Sequence, residues 1–213
     1  MSGSLKRTYV SSLRSAAATA TRRRILRAAQ TVFEQRGWSG TTLPVIADEA
    51  GVSPKTIQAQ FGTKAKLLAE VVDFAVRGDA GGEPVERRGG AQAIRAAPRA
   101  AEALSLHAAL VADINARAAQ LAAVVEAGAA GDPAVVPLRD RMRDSMQFGV
   151  VWAAETVLSK PGLRSGLAPE QVEIVFQVAM AWSTYRTLAS ARGMSAPQIE
   201  NWIGHLYERM LLP

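Results

Sequence analysis

The stretch from Thr42 to Lys66, TLPVIADEAGVSPKTIQAQFGTKAK, constrains this chain more than any other. Its punctuation allows little besides two short helices joined by a tight turn and leading into a third. A helix-turn-helix needs a small residue where the two helices cross, a turn residue that tolerates positive φ, and an apolar residue on the second helix facing back. Ala47, Gly51 and Ile57 fill those places. Val45, Ile46, Ala50, Val52 and Phe61 supply the apolar side of a small three-helix core, at spacings a helical period can bring together. Ser53 can cap the second helix, Pro54 suits its first position, and Val52 can staple onto Ile57, so the helix should begin at Pro54.

Projected at about 100° per residue from Ile57, the side chains of that helix that point away from the core are Lys55 and Ala59, flanked by Thr56 and Gln58. These residue types suit base edges in a major groove, where Gln pairs with adenine and an Ala or Thr methyl touches the thymine methyl. The helix starts at Thr42, Ser53 and Thr63 lack an acid in the first turn, which leaves them open to anions. The candidates for contacts to the nucleic-acid backbone are therefore Thr42, Ser53, Gln60 and Lys64, together with Arg22 and Arg23 of the preceding helix. The alternative for these cations is a merely solvated basic surface.

Net charge supports a polyanion partner once it is split along the chain. Residues 1–66 hold 11 Lys/Arg against 3 Asp/Glu, and the remainder 14 against 16, within an overall charge of +6. The basic character belongs to one end of the molecule.

From about Thr21 to Val72 the residues resemble the DNA-binding domain of the tetracycline-repressor (TetR) family. The matching elements are an opening helix with Ile25, Ala28, Ala29, Val32 and Phe33, then GWSGTT (37–42), IADEAGVS (46–53) and FGTKAKLL (61–68). The chain departs from the family in carrying no aromatic at or beside Gln58, and in having Pro44 where a polar or basic residue is usual. The resemblance implies a dimer binding a palindromic or nearly palindromic double-stranded DNA operator, a small-molecule effector held by the C-terminal domain, and a helix from about Thr63 to Arg77 that carries the signal between domains.

The expected fold is all-α: an N-terminal three-helix helix-turn-helix domain and a C-terminal helical domain for ligand binding and dimerisation. Its divisions are a flexible basic arm over 1–20, a DNA-binding domain over 21–66 and the helical domain over 67–213. Alanine dominates, aromatics make up 6%, and strand-like alternation is nearly absent. The arm lacks an apolar face to bury; Lys6, Arg7 and Arg14 on it either dangle in solvent or touch DNA. Charged residues such as Asp113, Glu126 and Glu155 interrupt every long apolar run, so no membrane span is expected, and the first 20 residues show no signal-peptide block. With no cysteine, disulfides and thiolate metal sites are excluded, which fits a cytoplasmic protein. No nucleophile-base pair, metal-ligand cluster or phosphate loop on a strand appears, so neither enzyme activity nor a cofactor or metal is expected.

Residues 78–90 read as a loop, 91–127 as helix with a possible break at Pro98, about 134–158 as a long helix, about 168–192 as one helix with two apolar faces, and the stretch from Ser195 onward as a final amphipathic helix. Candidate pocket residues are Leu104, His107, Met146, Phe148, Trp152, Phe176 and Met180, although His107, Phe148 and Trp152, each taken singly, read first as core packing. Two apolar faces need two partners, so the last two helices should pair with a second copy through Trp182, Tyr185, Trp202 and Leu206. The competing reading keeps DNA binding but drops the small molecule, leaving a repressor or DNA-organising protein controlled by a protein partner.

Overall fold

The computed structural model describes residues 3–78 and 85–213, with side chains placed from residue 17 onward except at Glu86. The described residues form ten α-helices, a 3-10 turn and a π-helical turn, with no strand among them. They divide into two compact units, residues 1–72 and 73–213.

In the first unit α1 (Gly3–Arg36) is followed by α2 (Leu43–Ala50), α3 (Pro54–Phe61) and α4 (Lys64–Arg77), the last of which continues into the second unit. Ile25, Ala29, Val32 and Phe33 of α1 are buried with Ile46 and Ala47 of α2, Ile57 and Phe61 of α3, and Leu67, Leu68 and Val71 of α4. The α2–α3 turn takes the form its sequence demands. Gly51 sits at φ 61°, ψ 42°, the left-handed cap that ends α2. Ser53 then caps α3, its hydroxyl accepting the Thr56 amide at 3.1 Å.

The expected arm is different. Residues 3–20 are helical, because Ala16–Ala18 and Ala20 are strong helix formers and neither Gly nor Pro interrupts the run from Ser4 to Arg36. Arg22, Arg23 and Arg24 therefore lie in mid-helix, away from the positive end of the helix dipole. The side chains of Lys6, Arg7 and Arg14 lie outside the described residues.

The second unit is built around α6 (Ala100–Gly131), which packs against α5 (Gly89–Ala96), α7 (Val136–Leu158), α9 (Trp182–Arg186) and α10 (Ala196–Leu211). α8 (Pro169–Met180) closes the core against α7 and α10. By length and mean hydropathy α6 would pass as a membrane span, which corrects the expectation that charges interrupt every candidate. More than half of its apolar window is buried inside the protein, where Ala103, Leu104, Val111, Ala118 and Leu121 pack against the neighbouring helices. Of the expected 78–90 loop, residues 79–84 lie outside the described residues, and the rest forms a 3-10 turn at Val85–Arg87 and the start of α5.

The helix expected over 168–192 is broken. Ala181, at φ −58° and ψ 125°, separates α8 from α9, and α9 runs on as a π-helical turn, Thr187–Ala191. The buried Asn115 of α6 donates from Nδ2 to the freed Met180 carbonyl at 3.3 Å, giving the break an internal partner. The final helix starts as its capping signal indicates, with the Ser195 amide donating to Gln198 Oε1 at 2.8 Å.

Candidate nucleic-acid interface

α3 presents the surface its periodicity predicts. Ile57 and Phe61 are buried, whereas Lys55, Gln58, Ala59 and Gln60 are exposed and Thr56 is half-buried. Thr56 is also tied into the cap, its hydroxyl 2.8 Å from that of Ser53, which leaves its methyl as the group best able to meet a base. Pro54 has no amide hydrogen and Ser53 takes the Thr56 amide, so the donor left over in the first turn of α3 is the Lys55 amide. The same holds at α2, where Thr42 accepts the Val45 amide, Pro44 has none to give, and the Leu43 amide remains. None of α2, α3 and α4 carries an acid in its first turn, so these donors face an approaching phosphate without local repulsion.

Two of the expected backbone contacts stand apart once their geometry is seen. Arg23 is exposed, but Arg22 pairs with Glu70 at 3.0 Å and lies over the Phe61 ring at 4.5 Å. Lys64 turns inward: its ammonium donates to the carbonyls of Trp38 at 2.9 Å and Thr41 at 3.0 Å and sits 3.9 Å from the centre of the Trp38 ring. Trp38 in turn stacks nearly parallel to Phe33, and the fully buried Thr41 hydroxyl donates to the Gly37 carbonyl at 2.6 Å. Lys64 is thus the pin that fastens the start of α4 to the α1–α2 turn. Sequence reasoning missed the pin, because its two carbonyl partners lie 26 and 23 residues away.

The candidate pocket residues do not form one site. Leu104, His107 and Phe176 lie in the packed core of the second unit, where His107 Nδ1 is 2.9 Å from the Tyr207 hydroxyl and the His107 and Phe176 rings meet edge to face. Burial lowers the His107 pKa to about 3 and raises that of Tyr207. Both are neutral partners in one buried hydrogen bond. Phe148 is exposed, and Trp152 is half-buried beneath the Arg95 guanidinium with its indole N–H unpaired. Met180 lies close to Gly149. Met146 lines a cavity of about 480 Å³ between α6, α7 and α9, and Leu104 borders a separate one of about 170 Å³ between α6 and α10.

Of the candidate dimer contacts, Trp182 borders that cavity, while Tyr185, Trp202 and Leu206 are half-buried against the core. The most exposed apolar side chains nearby are Ile174 and Val178 on α8, 63% and 45% exposed, and Met210 on α10. No group of His, Asp and Glu suited to a metal occurs among the described residues.

Residues 25–71 match the sequence profile of the bacterial regulatory proteins of the tetR family. Among curated proteins none matches the chain. Among solved structures, a transcriptional regulator from Saccharomonospora viridis in complex with choline aligns at 18% identity and TM-score 0.65, covering 92% of this chain and 99% of its own. Proteins described as TetR-family transcriptional regulators from Rhodococcus sp. and Mesorhizobium loti each align at 17% identity and TM-score 0.63, over 90% and 92% of this chain and 98% of theirs. At such identities the likeness speaks for the fold, and the N-terminal match speaks for the family. The exposed α3, the acid-free helix starts and that match agree: residues 25–71 are a helix-turn-helix DNA-binding domain of the tetR type.

Proposed function

We propose that the chain is a ligand-responsive repressor that binds a palindromic or nearly palindromic operator as a homodimer and is released by a small effector held in the second unit. It works in the cytoplasm and performs no catalysis. The observation that carries the DNA half is the exposed outer face of α3, with Lys55, Gln58 and Ala59 presented beside acid-free helix starts. A two-fold dimer sets two such helices about 34 Å apart, one turn of B-DNA. The dimer half rests on Ile174 and Val178, one turn apart on α8 and both exposed, an apolar face that a monomer leaves in water.

The cavity supports the ligand half, as does the choline held by the Saccharomonospora protein. The cavity wall on α7 carries Arg139, Met142 and Arg143, and between them Arg141 reaches Asp73 of α4 at 3.2 Å. Arg117 of α6 also holds α4, donating to the Ala75 carbonyl at 2.8 Å. A ligand that shifts α6 against α7 therefore bears on α4, and it acts through its differential affinity for the two shapes. Selection of bound sequences from random DNA tests the reading. Recovery of an inverted repeat with half-sites one helical turn apart supports it; recovery of a single unpaired half-site, or of no preference, refutes it.

A further inference from the structure

We infer that the cavity between α6, α7 and α9 is a site for an amphipathic anion, a carboxylate carried on an apolar body. The inference deepens the ligand-responsive reading and rests on it for its regulatory consequence. At about 480 Å³ the cavity falls within the range of small-molecule sites. Ala122, Ala123, Met142 and Met146 line it with small or pliable apolar side chains, and Trp182 adds a flat wall. That wall exists because the helix breaks at Ala181, so Trp182, Ser183 and Arg186 belong to a separate short helix beside the cavity.

The charges around the cavity, with Asp140 beside Arg139 counted, leave an excess of one cation. Arg139, Arg143 and Arg186 line it against a single acid, Glu126. Arg143 grips Glu126 through Nε and Nη2, and Arg139 grips Asp140 through the same two nitrogens. Each pair leaves the Nη1 donors of its arginine available. Arg186 is exposed and has no ion pair among the described residues, so it carries the excess positive charge. An entering carboxylate gains the Arg186 fork without breaking an existing pair, whereas a quaternary ammonium would meet the uncompensated Arg186 charge. The apolar body then lies on the alanine and methionine lining, out of water.

Calorimetric titration of the full chain with decanoate, decan-1-ol and decyltrimethylammonium tests the assignment, with Arg186→Met and Ala123→Phe as variants. Decanoate is expected to bind once per chain, with the alcohol and the cation at least about tenfold weaker, since a charged hydrogen bond is what they lack. Both variants should weaken decanoate by a similar factor. Arg186 is exposed, so its replacement keeps the test valid even where the added ring disturbs folding. Alcohol or cation binding as tightly as decanoate, decanoate binding that ignores Arg186→Met, or no binding at all would overturn the inference. Operator affinity measured on the same samples separates the two claims. Decanoate uptake that leaves DNA affinity unchanged keeps the site and removes the effector role. DNA binding without uptake removes the site and leaves the DNA-binding reading intact.

Discussion

Replacing Lys64 by methionine separates a structural role from a DNA contact, because the two make opposite forecasts. Methionine keeps most of the aliphatic stem and removes the ammonium. The loss comprises two hydrogen bonds, to the Trp38 and Thr41 carbonyls, and one cation–π contact with Trp38. A hydrogen bond to a charged group contributes roughly 1.5–3 kcal/mol. A cation–π contact at a half-exposed site adds about 0.5–1 kcal/mol. Lys64 is half-buried, so water replaces part of what is lost, and about 2 kcal/mol is a reasonable net figure. That corresponds to about a 30-fold rise in local opening of the 37–42 turn. Hydrogen exchange on the full chain reads it directly, at the Thr41 amide bonded to the Trp38 carbonyl. If exchange there changes by less than about threefold, while affinity for all DNA sequences falls and the salt slope drops by about one unit, Lys64 is a phosphate contact and the pin is wrong.

Three further outcomes are expected. Gln58→Ala and Lys55→Ala should change the preferred operator sequence by about 1–3 kcal/mol at the affected base pair, read by repeating the sequence selection with each variant; the same selected sequence from both would remove α3 from base readout. His107 titrates near 3 when folded and near 6.5 when unfolded, so its neutral form favours the fold above pH 6.5 and that contribution is lost as pH falls toward 3. Denaturant melts should therefore show the native chain losing about 2 kcal/mol more than His107→Gln between pH 7 and pH 5, and equal losses would contradict a buried neutral imidazole. Ile174→Asp should leave the helical content unchanged, since that side chain is 63% exposed, yet yield a monomer in sedimentation, and a dimer that persists would place the interface elsewhere.

The first unit could be read from its sequence because local chemistry specifies it. Gly51, Ser53 and Pro54 each admit few backbone conformations, and they agree on where one helix ends and the next begins. Once α3 is registered on Ile57, the exposure of Lys55, Gln58 and Ala59 follows from the helical period alone. Lys64 was illegible for the opposite reason. Its partners lie 26 and 23 residues away, and nothing local distinguishes a lysine that reaches back to a turn from one that reaches out to a phosphate. The helical run of α1 before Thr21 was missed because absence of an apolar face was weighed above alanine propensity.

The second unit shows where periodicity stops being informative. An apolar stripe says that a face avoids water, but not whether it meets the core, a ligand or another copy. His107 and Phe176 lie on such stripes and are core; Met146 lies on one and lines a cavity; Ile174 lies on one and is bare. The cavity adjoins the break at Ala181, which a sequence of strong helix formers and apolar residues around Met180 does not announce. The break is stabilised from outside by the Asn115 amide, 65 residues distant. With the helix unbroken, Trp182 and Arg186 would continue the line of α8 instead of forming a separate short helix, and the cavity would lack its present third wall. The cavity therefore depends on tertiary structure that no local pattern encodes: Asn115, which does not line it, supplies the partner for the carbonyl that the break leaves open.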